Sequence, residues 1–391
     1  MKIVISDVRV LLWSTFISNI GSYLVLPVIG VSLVTEKNLS VNQVATIFAA
    51  MAAGKTIGSL LAGPFADRTD ARVVLVVGLL CRVLAFILFV SCGQPILLGI
   101  ASTLIRVGSG LYIPTAKAVI SALSPADQTG LLLARRSTFA NLGIVLGPPL
   151  GLAISATIGE AYLYWSAAAV FAALTLLHIN MTGHRTSTGQ ATREYLANLI
   201  SAIRNEQFVT LALFSIGFNF FHALFFLVMP IYGKLHVSES APQIAYTVNA
   251  LVVVASQLSI AKRLFLAREH LVSLAGFGLI ALSCYVFSSG NNSLPAFVAG
   301  VVLYSLSEVL LLLKADFLAS VLGRKTLGAI FSTAALMEAI GGMAGNKFFG
   351  ALFTARSYPE AWLVASAVAC VTAVAATYVS RRARLANAAA S

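Results

Sequence analysis

Twelve apolar stretches divide this chain, at 8–33, 41–65, 73–92, 95–123, 133–158, 161–181, 207–233, 241–261, 271–290, 294–319, 326–354 and 358–380. A helix needs about 20 apolar residues to cross a bilayer, and each stretch meets that length. A water-soluble core could not bury them all. The 391 residues are 59% hydrophobic and only 10% charged, against about 25% charged in soluble domains. Backbone groups in hydrocarbon must be satisfied within the segment, so the stretches are helices. The pattern predicts an all-α polytopic membrane protein with twelve transmembrane helices.

The loops set the orientation. With the N-terminus inside, the inside segments hold seventeen Lys and Arg, and the outside segments hold only Lys37, Lys234 and Arg356. Both termini and the central linker are therefore expected in the cytoplasm, in a bacterial inner membrane. The net charge of +12 follows from this asymmetry and gives no reason to invoke nucleic acid. The N-terminus "MKIVISDVRVLLWSTFISNI" has no small-residue cleavage site after a short apolar core, so it is expected to remain as the first helix. Trp13, Trp165 and Trp362 fall near helix ends, where interfacial indoles are expected.

The organisation reads as a six-helix half over 1–181, a linker over 182–206, a second half over 207–380 and a tail over 381–391. The linker opens rich in Gly, Ser and Thr. It ends with Tyr195, Leu196, Leu199, Ile200 and Ile203 at helical spacing, as in a short amphipathic surface helix. The halves repeat weakly: Pro95 and Pro295 open the fourth and tenth helices, and "STFANLGIVLG" from Ser137 aligns with "STAALMEAIGG" from Ser332, matching Gly147 with Gly342. Parallel six-helix repeats are one plan for secondary transporters.

Two other classes are excluded on spacing. Gly54-Lys55-Thr56 suggests the end of a phosphate loop, but position 49 is Ala and no strand pattern precedes it. The sequence has no H-E-x-x-H and no G-x-S-x-G, so an embedded enzyme is not expected. Cys81, Cys92, Cys284 and Cys370 lack metal-ligand spacing and read as packing residues; no cofactor or metal is expected.

Three segments carry a family resemblance. "GPFADRTDAR", Gly63 to Arg72, between the second and third helices, resembles the loop signature of the major facilitator superfamily. "RVGSG", Arg106 to Gly110, resembles that family's intramembrane arginine motif, and "GIVLGPPLG", Gly143 to Gly151, resembles the G-x-x-x-G-P-x-x-G motif of its antiporters. The resemblance implies two six-helix pseudo-repeats, and a cytoplasmic latch formed by Gly63, Asp67, Arg68 and Arg72. It also implies a bend at Gly143, Gly147, Pro148 and Gly151 associated with export. Asp70 stands where the family has glycine, and aspartate tolerates a left-handed backbone, so the turn is expected to survive. The glycines every four residues form a flat stripe that lets another helix approach, and Pro148-Pro149 removes two backbone donors.

Charges inside the membrane mark candidate sites. Lys55 lies about 15–20 Å from either end of its helix, too deep for easy snorkelling, and Arg106 is similarly deep. With Asn19, Tyr23 and Phe218, these two are the candidate substrate-binding residues, for an anionic or zwitterionic group. Arg82 is expected to be structural, and Lys117, Lys314 and Lys347, near helix ends, to make structural ion pairs or to snorkel. Glu308, Glu338 and His222 are the candidate proton carriers, since a carboxyl in a low-dielectric cavity or an imidazole can load and release a proton as access alternates.

The expectation is a secondary transporter exporting a small amphipathic molecule by proton-coupled alternating access. The alternatives are a dedicated exporter of an anionic or zwitterionic metabolite, such as a carboxylate siderophore, and a non-transporting membrane sensor. The expected partners are the small-molecule substrate, protons and the lipid bilayer, and the chain is expected to be a monomer.

Overall fold

The computed structural model describes residues 2–124, 129–182, 206–322 and 327–390. Residues 183–205 of the linker therefore lie outside the described residues, including Arg185, Arg193, Arg204 and the apolar set from Tyr195 to Ile203. The first six helices are α1 (Lys2–Thr35), α2 (Val41–Arg68), α3 (Ala71–Ser91), α4 (Pro95–Leu123), α5 (Thr129–Ile158) and α6 (Ala161–Ile179). A seventh rod, α7, starts as Glu206–Ala223 and continues through Leu224–Val228, Met229–Tyr232 and Gly233–Val237. The last five are α8 (Ala241–Leu266), α9 (Glu269–Ser289), α10 (Leu294–Leu322), α11 (Leu327–Ala355) and α12 (Tyr358–Ala390). Among the described residues, ten helices are long and apolar enough to cross a membrane.

Local chemistry explains the ends. Pro95 occupies the first turn of α4, where its missing N–H costs nothing. Asn38, Asn291 and Asn292 adopt positive φ in the turns that follow α1 and α9, a conformation asparagine tolerates. Asp70 departs from its expected role. Its φ of −153° is extended, and its side chain accepts from the Arg72 N–H at 2.8 Å, so it N-caps α3 and needs no left-handed turn.

The chain divides into two units, residues 1–39 with 47–189 and residues 40–46 with 190–391. In the first, α1 packs on α5 and α6, and α3 lies against α4 and α6. In the second, α7 packs on α11, α10 and α12, and α9 lies against α10 and α12. The same pairings recur, as expected of a six-helix pseudo-repeat.

Packing adds two further findings. Trp362, near the start of α12, is fully buried, with Tyr232, Phe287 and Phe353 around its ring, so it packs in the core of its unit. Trp13 and Trp165 are exposed. Lys314 makes the structural ion pair rather than snorkelling: it is 1% exposed, and its Nζ donates to the Ala267 carbonyl at 2.7 Å and pairs with Glu269 at 3.0 Å. The start of α9 covers this side chain, so its nearness to a helix end gives no route to water.

Candidate functional site

The second unit gathers a polar group on apolar helices. Glu308 and Ser305 stand one turn apart on α10, and Asn249 reaches both from α8: its Nδ2 donates at 2.7 Å to Glu308 Oε2 and at 3.1 Å to Ser305 Oγ. Tyr304, on the same helix, brings its hydroxyl 2.6 Å from Nδ1 of His222 on α7. Aromatic rings enclose the pair. Phe225 stacks on Tyr304 with centroids 5.3 Å apart and planes 7° from parallel, and Phe218 lies 4.9 Å from the His222 ring. Phe218, Phe225, Tyr246 and Tyr304 are buried, whereas His222, Phe226, Asn249 and Glu308 are half-buried. The buried rings are therefore packing that holds a partly accessible polar face.

The local backbone of α7 is unusual at this point. The helix widens into a π-turn at Leu224–Val228, directly after His222, and again at Gly233–Val237. Such bulges are frequent at functional sites because they re-aim side chains within a helix.

The structure brings Glu308, His222 and Phe218 together in one unit. Glu338, on α11, is half-buried in the same unit. Asn249 and Tyr304 were missed by sequence reasoning. An Asn in the middle of an apolar stretch was the available signal for the first, since intramembrane polar residues are rare unless they have a role.

The first unit holds the other candidates. Lys55 and Arg106 are half-buried on α2 and α4. These helices cross closely because glycine permits it: a Cβ on Gly54 would lie 2.9 Å from Thr103, and one on Gly58 or Gly110 would overlap the backbone of the facing helix. On the other side of α4, Gly108 meets Gly78 and the stem of Arg82. The "RVGSG" segment is thus a spacer that seats α4 against α2 and α3, with Arg106 beside the crossing. Arg82 is 3% exposed and donates to Ser18 Oγ at 2.9 Å and to Ser22 Oγ.

The α5 stripe packs on α1. A Cβ on Gly143 would overlap Phe16 and Asn19, one on Gly147 would lie 2.5 Å from Tyr23 Cβ, and one on Gly151 would lie 2.6 Å from the Leu24 carbonyl oxygen. Pro148 is buried beside it. Asn19 donates its amide back to the Thr15 carbonyl at 2.7 Å, four residues earlier. The same arrangement recurs in the second unit, where Gly341 and Gly345 meet the backbone of Ile216 and Phe220, and Asn219 donates to Ser215. Gly341 and Gly345 thus lie on the face of α11 that packs on α7.

Of the loop signature, Asp67 belongs to the last turn of α2, but its side chain lies outside the described residues. Arg68 is exposed, and Gly63 has open space around it. Arg72 donates to the carbonyls of Met181 at 3.1 Å and Ile179 at 3.5 Å, so it serves the C-terminal end of α6, where a cation is favoured. Among the described residues, no cluster of His, Cys, Asp and Glu could hold a metal ion.

The Major Facilitator Superfamily profile matches residues 11–345. The chain belongs to the major facilitator superfamily. Its relatives agree. It is 22% identical over 320 residues to the uncharacterized MFS-type transporter YqjV of Bacillus subtilis (strain 168), covering 78% of this chain and 77% of that protein. Shorter matches reach the quinolone resistance protein NorA of Staphylococcus aureus (strain MRSA252), 22% identical over 62% of each chain. The multidrug resistance protein MdtH of Sodalis glossinidius (strain morsitans) is 26% identical over 56% of this chain and 54% of that one. Among solved structures, a POT family transporter in complex with thioalcohol conjugated peptide superposes with a TM-score of 0.79 at 14% identity, covering 96% of both chains. The nucleoside transporter NupG superposes with a TM-score of 0.73 at 14% identity, covering 95% of this chain and 98% of that one. At these identities the likeness is one of fold. As a major facilitator protein, the chain is a multi-pass membrane transporter of a small-molecule substrate.

Proposed function

We propose that this transporter exports a small amphipathic molecule from the bacterial cytoplasm by proton-coupled alternating access. The observation that carries the reading is Glu308, half-buried on α10 with Asn249 donating to it, beside the Tyr304–His222 pair. A carboxyl there can be charged when hydrated and neutral when sealed, which is what coupling to a proton gradient needs. The aromatic face of Phe226 and its neighbours suits an apolar solute. Export is supported by the α5 motif and by the resistance names of NorA and MdtH. The loop charges support an inner-membrane orientation with both termini inside. The test uses purified protein in proteoliposomes with an imposed pH gradient and ethidium as the probe. Gradient-driven movement in wild type, lost in Glu308→Gln while probe exchange at equal pH survives, supports the reading. Gradient-driven movement in Glu308→Gln equal to wild type defeats it.

A second reading is a dedicated exporter of an anionic or zwitterionic metabolite. One observation favours it: Lys55, Arg82 and Arg106 lie in apolar helices of a unit where residues 37–66 and 71–126 contain no Asp or Glu. Saturable, charge-selective binding of carboxylates over matched amides would favour it over the first reading.

A further inference from the structure

Asn249 is an uncharged residue on an apolar helix, and both hydrogens of its side-chain NH2 have acceptors. One Nδ2 hydrogen goes to Glu308 Oε2 at 2.7 Å and the other to Ser305 Oγ at 3.1 Å. Ser305 spends its own hydrogen on the Val301 carbonyl at 2.7 Å, so toward Asn249 it only accepts. That fixes the orientation of the amide. Turned by half a rotation, it would present Oδ1 to two acceptors. Asn249 therefore holds a donor against Glu308, and a donor favours the ionised carboxylate over the neutral acid.

Protonation weakens this contact without breaking it. The neutral acid keeps one bare oxygen, which still accepts from Asn249 Nδ2 as a weaker, uncharged hydrogen bond. Asn249 thus meets both forms of Glu308 and favours the charged one.

Other titratable groups stand nearby: Tyr304 is on the same helix, and Tyr246 on α8 and Cys284 on α9 lie close to Tyr304. His222 on α7 meets Tyr304 through Nδ1. α11, which also packs on α10, carries Glu338.

We propose that Asn249 is a positioning residue that sets the pH range over which Glu308 takes up and releases its proton. The proposal rests on the reading of Glu308 as the proton carrier.

The test reads the proton directly and needs no substrate. Full-length protein in lipid nanodiscs is titrated while the carboxyl C=O stretch is followed by infrared difference spectroscopy. A band that titrates in wild type and is missing in Glu308→Gln belongs to Glu308. Asn249→Leu removes the donor, and the midpoint of that band is expected about one pH unit higher or more, the size of a hydrogen bond to a charged group. Asn249→Asp keeps the shape but places a second carboxyl beside the first, and a larger shift in the same direction is expected. A packing role predicts no shift for Leu, and thermal unfolding shows whether either variant is folded. An unmoved midpoint in the folded variants overturns the proposal with the proton reading intact. If Glu308→Gln removes no titrating band, the proton reading falls and the proposal falls with it.

Discussion

The guanidinium of Arg82 lies over the ring of Phe171, 3.7 Å from its centroid, and reaches Ser18 and Ser22 with its two terminal nitrogens. A charge on α3 is thereby held between hydroxyls of α1 and a ring of α6. A desolvated cation–π contact contributes about 2 kcal/mol. Phe171→Leu keeps apolar bulk but loses the ring face, and a stability loss of about that size is expected in thermal unfolding of purified protein. Arg82→Lys should cost at least as much, because an ammonium cannot span both serines as a planar fork does.

Gly147→Leu should abolish transport. A Cβ at this position already lies 2.5 Å from Tyr23 Cβ and 3.0 Å from its carbonyl carbon, so a larger side chain forces α1 and α5 apart. Gly278 on α9 has open space within 4 Å, so Gly278→Ala is the matched control and should transport normally. Uptake or efflux at equal expression checks both.

The pair formed by Lys314 and Glu269 is asymmetric, at 1% and 26% exposure. Removing one partner of a buried pair costs about 3–5 kcal/mol because a charge is left unpaired. Glu269→Gln removes the countercharge of the buried ammonium, which keeps the Ala267 carbonyl as acceptor, and should approach that range. Lys314→Met leaves a carboxylate that water can reach, so it should cost less. The double variant should be more stable than Glu269→Gln alone, as read by thermal unfolding in detergent.

These residues also show what the sequence could and could not tell. Helix positions were legible because twenty-residue apolar runs have few other folds open to them, and α4 and α10 begin as expected, at Pro95 and one residue before Pro295. The two π-turns of α7 were not legible, since a shift in hydrogen-bond register leaves no mark in composition. The burial of Trp362 and of Lys314 was not legible, for one reason. Distance along a helix from its end says how far a side chain is from water only if no neighbouring element covers it, and aromatic rings and the start of α9 cover these two. Of the site, the charged members were legible as rare intramembrane charges. Asn249, Ser305 and Tyr304 acquire a role only from the helices they face.

Asp67→Asn should impair transport while leaving stability near wild type, because the substitution removes a charge at the end of α2 and no apolar contact. The motivation is the glycine–aspartate–arginine spacing from Gly63 to Arg68. Flux at wild-type level with equal expression would remove Asp67 from the transport cycle.

The last prediction concerns Lys55 and Arg106, which flank the glycine-packed crossing of α2 and α4. If they attract an anionic group, Lys55→Gln and Arg106→Gln should weaken binding of a carboxylate probe far more than of its amide or ammonium analogue. A hydrogen bond to a charged group contributes about 1.5–3 kcal/mol against about 1 kcal/mol for a neutral one, so a loss of about tenfold in affinity for the carboxylate is expected. If the two cations only hold the bundle, the variants lower stability and weaken all three probes alike. Binding of the three probes by isothermal calorimetry, with thermal unfolding of the same preparations, separates these outcomes, because only a substrate-facing cation distinguishes probes that differ in charge and not in shape.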